Sequence, residues 1–88
     1  MALLIKKFGG TSVEDITKIK VIAQNIVQSK EAGNDIVVVV SAMGNSTDHL
    51  NKLAESISKN PNSRELDMLL STGEQVTMAL LSMSLNEY

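Results

Sequence analysis

Two positions pair a charged side chain with residues that leave the backbone accessible: Lys7, just ahead of Gly9-Gly10, and Glu74, directly after Thr72-Gly73. A lysine ammonium is a compact cation, and glycines let a ligand approach main-chain N–H groups. Lys7 with Gly9-Gly10 therefore suits an anion, phosphate foremost. Glu14 and Asp15 follow closely, and their charge repels an anion unless they face away from it. The same residues also read as solvated strand-end lysines, Lys6 and Lys7, followed by an ordinary turn. Neither G-x-x-x-x-G-K-[ST] nor G-x-G-x-x-G occurs, so neither a Walker loop nor a dinucleotide fingerprint is supported.

Glu74 lies two helical turns before Leu81 and should share its azimuth and that of Met78. A carboxylate on so apolar a face needs a cationic or hydrogen-bonding partner. It could receive a ligand ammonium, or it could be a capping acid at a helix N-terminus. His49, the single histidine, falls off the apolar stripe of its helix and reads as an exposed helical residue. Thr47-Asp48 reads as an N-cap pair, and the five methionines read as core filler. With one histidine and no cysteine, no metal cluster, disulfide, cysteine nucleophile or histidine-based triad is indicated.

The elements that must position these residues follow from hydrophobic period and punctuation. Leu3 to Phe8 is a short β-compatible run stopped by Gly9-Gly10. Ser12-Val13-Glu14-Asp15 has the pattern of an N-cap with an acid three residues on. Ile16, Ile19, Ile22, Ala23, Ile26 and Val27 then recur at three- and four-residue spacing, one stripe on a long helix closed by Gly33-Asn34. Ile36 to Val40 is an unbroken β-branched strand, expected to be buried on both faces. Two strands joined through a helix must lie parallel, with a right-handed crossover. Leu50, Leu53, Ala54 and Ile57 mark a second helix, ended by Asn60-Pro61-Asn62-Ser63. A third runs from Arg64 to Leu70, is expected to break at Ser71-Thr72-Gly73, and resumes through Leu85 with apolar residues all round, so it should be buried on most sides.

Parallel strands send their carboxyl ends to one edge, so the loops Gly9 to Ser12 and Ser41 to Thr47 should converge there, where ligands of open α/β sheets bind. A two-stranded parallel sheet is not expected to stand alone. The chain reads as cut short, with a third strand due after Asn86-Glu87-Tyr88. At 88 residues it is one domain at most. Its formal charge of -2, with basic and acidic residues intermingled, leaves no footprint for nucleic acid or an anionic membrane. The longest apolar run is far short of the roughly 18 residues of a membrane span. The start at Met1-Ala2-Leu3-Leu4-Ile5 lacks the form of a secretory signal, so a cytoplasmic location is expected.

Three segments in order, Lys7-Phe8-Gly9-Gly10-Thr11-Ser12-Val13, Val38-Val39-Val40-Ser41-Ala42-Met43-Gly44 with Thr47-Asp48, and Leu70-Ser71-Thr72-Gly73-Glu74-Gln75, together resemble the N-terminal part of the aspartokinase (aspartate kinase) family. The resemblance covers essentially residues 1–88, including the approach Arg64-Glu65-Leu66-Asp67. It implies an α/β fold: the βαβ start of the amino-acid kinase fold, an αβα sandwich around a mainly parallel sheet, here an incomplete catalytic domain. It also implies transfer of the γ-phosphoryl of ATP, with Mg2+, to the β-carboxylate of L-aspartate, in a full-length parent that is a homo-oligomer. By motif, Lys7 with the backbone of Phe8, Gly9 and Gly10 resembles the family's phosphate cradle, and Ser41 and Gly44 its second loop. Thr47 and Glu74 resemble its aspartate ligands, and no metal ligand falls within the segment. Kinases of the same fold acting on glutamate, acetylglutamate, carbamate or uridylate share the glycine loop, and a non-catalytic α/β interaction module is the alternative from another class.

Overall fold

The computed structural model describes residues 2–88; the reading of the start at Met1 lies outside them. Strand β1 (Leu3–Phe8), helix α1 (Ile16–Glu31), strand β2 (Asp35–Val40), helix α2 (Ser46–Ile57) and helix α3 (Ser63–Asn86) follow in that order. The strands pair in parallel, in register from Leu3 opposite Asp35 to Phe8 opposite Val40. The β-helix-β unit read from the sequence is thus present, and β1 has the expected bounds.

Ile19, Ile22, Ala23 and Ile26 put one buried stripe on α1, against Val13, Leu81 and the half-buried Phe8, Ile36, Val38 and Val40. The helix begins later than its sequence suggested. Asp15, not Ser12, is the N-cap, its carboxylate accepting the backbone N–H of Lys18 at 2.9 Å; a cap of this kind is worth about 1 kcal/mol. The Ser12 N–H instead donates to the Gly9 carbonyl at 3.1 Å, and the turn so formed delivers Val13 into the core with no exposed surface. At the other end Gly33 takes a φ of +95° and donates to the Lys30 carbonyl at 3.0 Å. The Asn34 side-chain amide donates to the Ser29 carbonyl at 3.0 Å. Gly33-Asn34 closes the helix as expected, with the Asn34 side chain satisfying a last-turn carbonyl that a backbone N–H serves in a Schellman motif.

Two expectations are corrected. Strand β2 is not buried on both faces. Its residues alternate, as do those of β1, and the described helices cover only one side. Leu3, Ile5, Val37 and Val39 therefore form an apolar face open to solvent, Ile5 being 71% exposed. Helix α3 does not break at Ser71-Thr72-Gly73. It is continuous from Ser63 to Asn86, capped by the Asn62 side chain, which accepts the Arg64 N–H at 2.9 Å. Gly73 costs such a helix only about 1 kcal/mol of propensity relative to alanine, which packing can offset. Nor is α3 buried on most sides: Gly73, Thr77 and Leu81 form its buried stripe, while Met68, Val76, Met78 and Met83 are exposed. No helix among the described residues is long and apolar enough to cross a membrane.

Candidate active site

The loops that leave the carboxyl ends of β1 and β2 meet, as the parallel pairing requires. The Ser41 N–H donates to the Phe8 carbonyl at 3.1 Å, joining the two at their roots. A Cβ on Gly10 would lie 3.4 Å from the Ala42 carbonyl oxygen and 4.0 Å from that of Gly44. Gly44, at φ +39°, faces back: a Cβ there would stand 3.3 Å from the Glu14 carbonyl oxygen and 3.4 Å from Glu14 Cγ. The loops thus pack main chain to main chain, and glycine at 10 and 44 permits the approach. Gly9 differs, since nothing lies within 4 Å of the position its Cβ would take. That open side is where an anion could reach the backbone.

The neighbouring lysines have separate fates. Lys6 points to the covered face, and its ammonium donates to Asn25 Oδ1 at 2.8 Å and Ser29 Oγ at 2.7 Å. Lys7 points to the open face at the end of β1, exposed, with no hydrogen bond or ion pair to any described residue. Its three donors remain available to a ligand. Phe8 and Ser12 line a cavity of about 340 Å³ on the α1 side of the first loop, together with Lys18, Val21, Ile22 and Asn25.

The two acids that follow the glycine loop are both engaged, and by one residue. The Lys18 backbone N–H holds Asp15, while its ammonium donates to Glu14 Oε2 at 2.7 Å and to the Thr11 carbonyl at 3.2 Å. The hydrogen bond to Glu14, followed by that residue's charge, raises the Lys18 pKa above its ordinary 10.5. A raised lysine pKa favours the fold below pH 10.5, and that contribution disappears only as pH climbs through the still higher folded value. The pair is therefore intact at neutral pH. Lys18 was not among the candidate residues from sequence, although its spacing of four from Glu14 is that of a helical ion pair.

Thr47 and Glu74 flank the second loop from two helices. Asn45, without a side-chain capping bond, is the N-cap of α2, so Thr47-Asp48 is not a capping pair; Thr47 lies exposed in the first turn. Gly73 of α3 presses on this region: a Cβ there would be 2.9 Å from Ala42 Cβ, 3.5 Å from Leu50 Cδ1 and 3.8 Å from Ser46 Cβ. Glu74, the next residue, is exposed and makes no hydrogen bond to a described residue. Seven residues before Leu81 in the continuous helix, it keeps that residue's azimuth to within about 20°, but the buried line Gly73, Thr77, Leu81 advances by four and slants around α3, so at this level Gly73 is buried and Glu74 is not; the Thr77 hydroxyl donates to the Gly73 carbonyl at 3.2 Å. Glu74 is also no capping acid, since the uninterrupted α3 has no N-terminus there. His49 is exposed as expected and also lines a cavity of about 180 Å³ with Ser46, Leu50, Thr72, Gly73 and Val76. No cluster of three or more histidine or carboxylate side chains able to hold a metal occurs among the described residues.

The loop pair, the free lysine and the α3 carboxylate can be set beside known proteins. Residues 2–88 match the amino acid kinase family. The chain is 56% identical over 87 residues to an aspartokinase of Geobacillus stearothermophilus, covering 99% of the chain and 21% of that protein. It is 52% identical over 85 residues to an aspartokinase of Mycolicibacterium smegmatis, covering 97% of the chain and 20% of that protein. The crystal structure of an aspartate kinase from Synechocystis superposes with a TM-score of 0.95 at 59% identity, over 97% of this chain and 14% of that one. The chain thus spans about a fifth of the length of these curated relatives. Its parallel pair and flanking helices match a portion of an aspartate kinase fold, and the chain belongs to the amino acid kinase family.

Proposed function

We propose that this chain is part of an aspartate kinase that transfers the γ-phosphoryl group of MgATP to the β-carboxylate of L-aspartate, giving 4-phospho-L-aspartate and ADP. This reaction opens the route to lysine, threonine and methionine, and we place it in the cytoplasm. The observation that carries the reading is the junction of the two glycine loops at the carboxyl edge, with Gly9 open and, at the end of the preceding strand, Lys7 without a partner among the described residues. Aspartokinases of 52% to 56% identity support the choice of acceptor.

The chemistry asks little covalent work of the protein. A β-carboxylate oxygen forms a bond to the γ-phosphorus while the bond from that phosphorus to the bridging oxygen breaks, and the released electron pair leaves with ADP. Negative charge spreads over the transferred group, and positioned donors lower the barrier by stabilising it. Lys7 supplies a cation and Phe8, Gly9 and Gly10 supply backbone N–H donors. Ser41 and Gly44 shape the facing loop. Glu74 receives the α-ammonium of aspartate, and the Thr47 hydroxyl orients the substrate by hydrogen bonding. Magnesium arrives with the nucleotide as part of the substrate. The described residues offer it no ligand cluster, so no step here is assigned to it.

The test is a coupled assay of the full-length protein with MgATP and each of L-aspartate, glutamate, acetylglutamate, carbamate and uridylate. Turnover with aspartate above all others is expected; preference for another acceptor overturns the assignment. The 88-residue chain alone, about a fifth of its relatives, is expected to show no phosphoryl transfer and to self-associate or fold only in part. Aspartate-dependent ADP release by the purified chain would refute that expectation.

A further inference from the structure

We propose that Lys18 is a positioning residue for nucleotide binding, acting by neutralising Glu14 and holding the Thr11 carbonyl at the exit of the first glycine loop. The inference rests on the kinase reading and adds a residue that its phosphate cradle does not include. Glu14 lies against the second loop, its carbonyl oxygen and Cγ 3.3 and 3.4 Å from the position a Cβ on Gly44 would take, so its charge sits where the two glycine loops meet. A bare carboxylate so placed opposes the approach of a polyanion. The Lys18 ammonium meets it at 2.7 Å and reaches the Thr11 carbonyl at 3.2 Å. The Lys18 backbone N–H simultaneously holds Asp15, the second acid of the segment, at 2.9 Å. One residue therefore engages both acids behind the loop, its ammonium offsetting the charge of Glu14 and its backbone N–H satisfying the Asp15 carboxylate as a cap, while Lys7, on the open sheet face, has no partner among the described residues.

The pair is about half exposed, with side-chain exposures of 48% and 52%, so its worth to global stability is small. Its effect belongs to the local field, which separates it from a purely structural contact. In the full-length enzyme Lys18→Met should raise the KM for MgATP by about three- to tenfold and change kcat less than about twofold. The KM difference should shrink as ionic strength rises. Adding Glu14→Gln to Lys18→Met removes the unmasked charge and should return the KM toward the parent value, and Lys18→Arg should retain it. Glu14→Gln alone, which keeps Lys18, should leave the KM equal or lower. The dissociation constant of MgADP, measured by calorimetry without acceptor, should follow the same order. An unchanged KM in Lys18→Met, a loss that Glu14→Gln does not relieve, or weaker nucleotide binding in Glu14→Gln alone overturns the inference. If the parent turns over aspartate while these variants behave alike, the inference fails alone; if the parent fails to use aspartate, the kinase reading fails first.

Discussion

Replacing Lys7 with methionine in the full-length protein is expected to lower kcat/KM for aspartate phosphorylation by about 10²- to 10³-fold, the scale of losing one preorganised donor to developing charge. Most of the loss should fall on kcat, since the charge that Lys7 meets grows toward the transition state. Folding should be almost unaffected, because the side chain is exposed and binds no described residue. Lys6→Met gives the opposite pattern. That ammonium ties β1 to α1 through Asn25 and Ser29. Losing it should reduce stability by about 1 kcal/mol per hydrogen bond and leave turnover near normal. Steady-state kinetics and thermal unfolding of the two variants side by side separate a site lysine from a structural one. A loss below about threefold for Lys7→Met would count against the phosphate cradle.

Gly73→Ala should cost activity through geometry. Alanine gains about 1 kcal/mol of helix propensity over glycine in a helix interior. Against that, the new methyl would stand 2.9 Å from Ala42 Cβ, deep inside the ordinary contact distance, and neither atom belongs to a flexible side chain. Overpacking of this sort costs about 1 to 3 kcal/mol, so the net effect on stability is modest, up to about 2 kcal/mol. Relief must come from α3 moving away from the second loop, and that shift carries Glu74 and disturbs Ser46 at the start of α2. A displacement near 1 Å at a reacting centre costs about 10²-fold in rate, and a loss of that order in kcat/KM, with a raised KM for aspartate, is expected. Ala42→Gly in the same chain removes the opposing methyl and should restore much of the activity. A Gly73→Ala enzyme with parental kinetics would show that the close approach does not position Glu74.

Much of this architecture was legible from period and punctuation. The run Leu3 to Phe8, the stripe Ile19, Ile22, Ala23 and Ile26, and the stop at Gly33-Asn34 each obey a local rule that tertiary packing did not override. The meeting of the two loops also followed, because parallel strands joined through a helix leave their sheet at one edge. What sequence misread depended on distant partners. Ser12 looked like a cap, but Val13 had to enter the core, so the chain keeps a turn through this stretch and Asp15 caps instead. Gly73 looked like a helix breaker because its use, the approach of α3 to Ala42, lies 31 residues away in the chain. Glu74 was expected to be buried because it lies seven residues before Leu81, but the buried line Gly73, Thr77, Leu81 advances by four and has left the azimuth of Glu74 by the time it reaches Gly73. The open face of Leu3, Ile5, Val37 and Val39 has the composition of a buried sheet, but the described helices lie only on the other side.

The central claim is that the two glycine loops and the Glu74 carboxylate form one site at the carboxyl edge of the parallel pair. A crystal structure of the full-length protein with L-aspartate and a non-hydrolysable MgATP analogue tests it most directly. The account predicts phosphate oxygens at the Gly9 and Gly10 amides and the Lys7 ammonium, with the aspartate α-ammonium at Glu74 and its β-carboxylate directed to the terminal phosphorus. Nucleotide phosphates bound away from Lys7 and Gly9, or aspartate bound without Glu74, would contradict it.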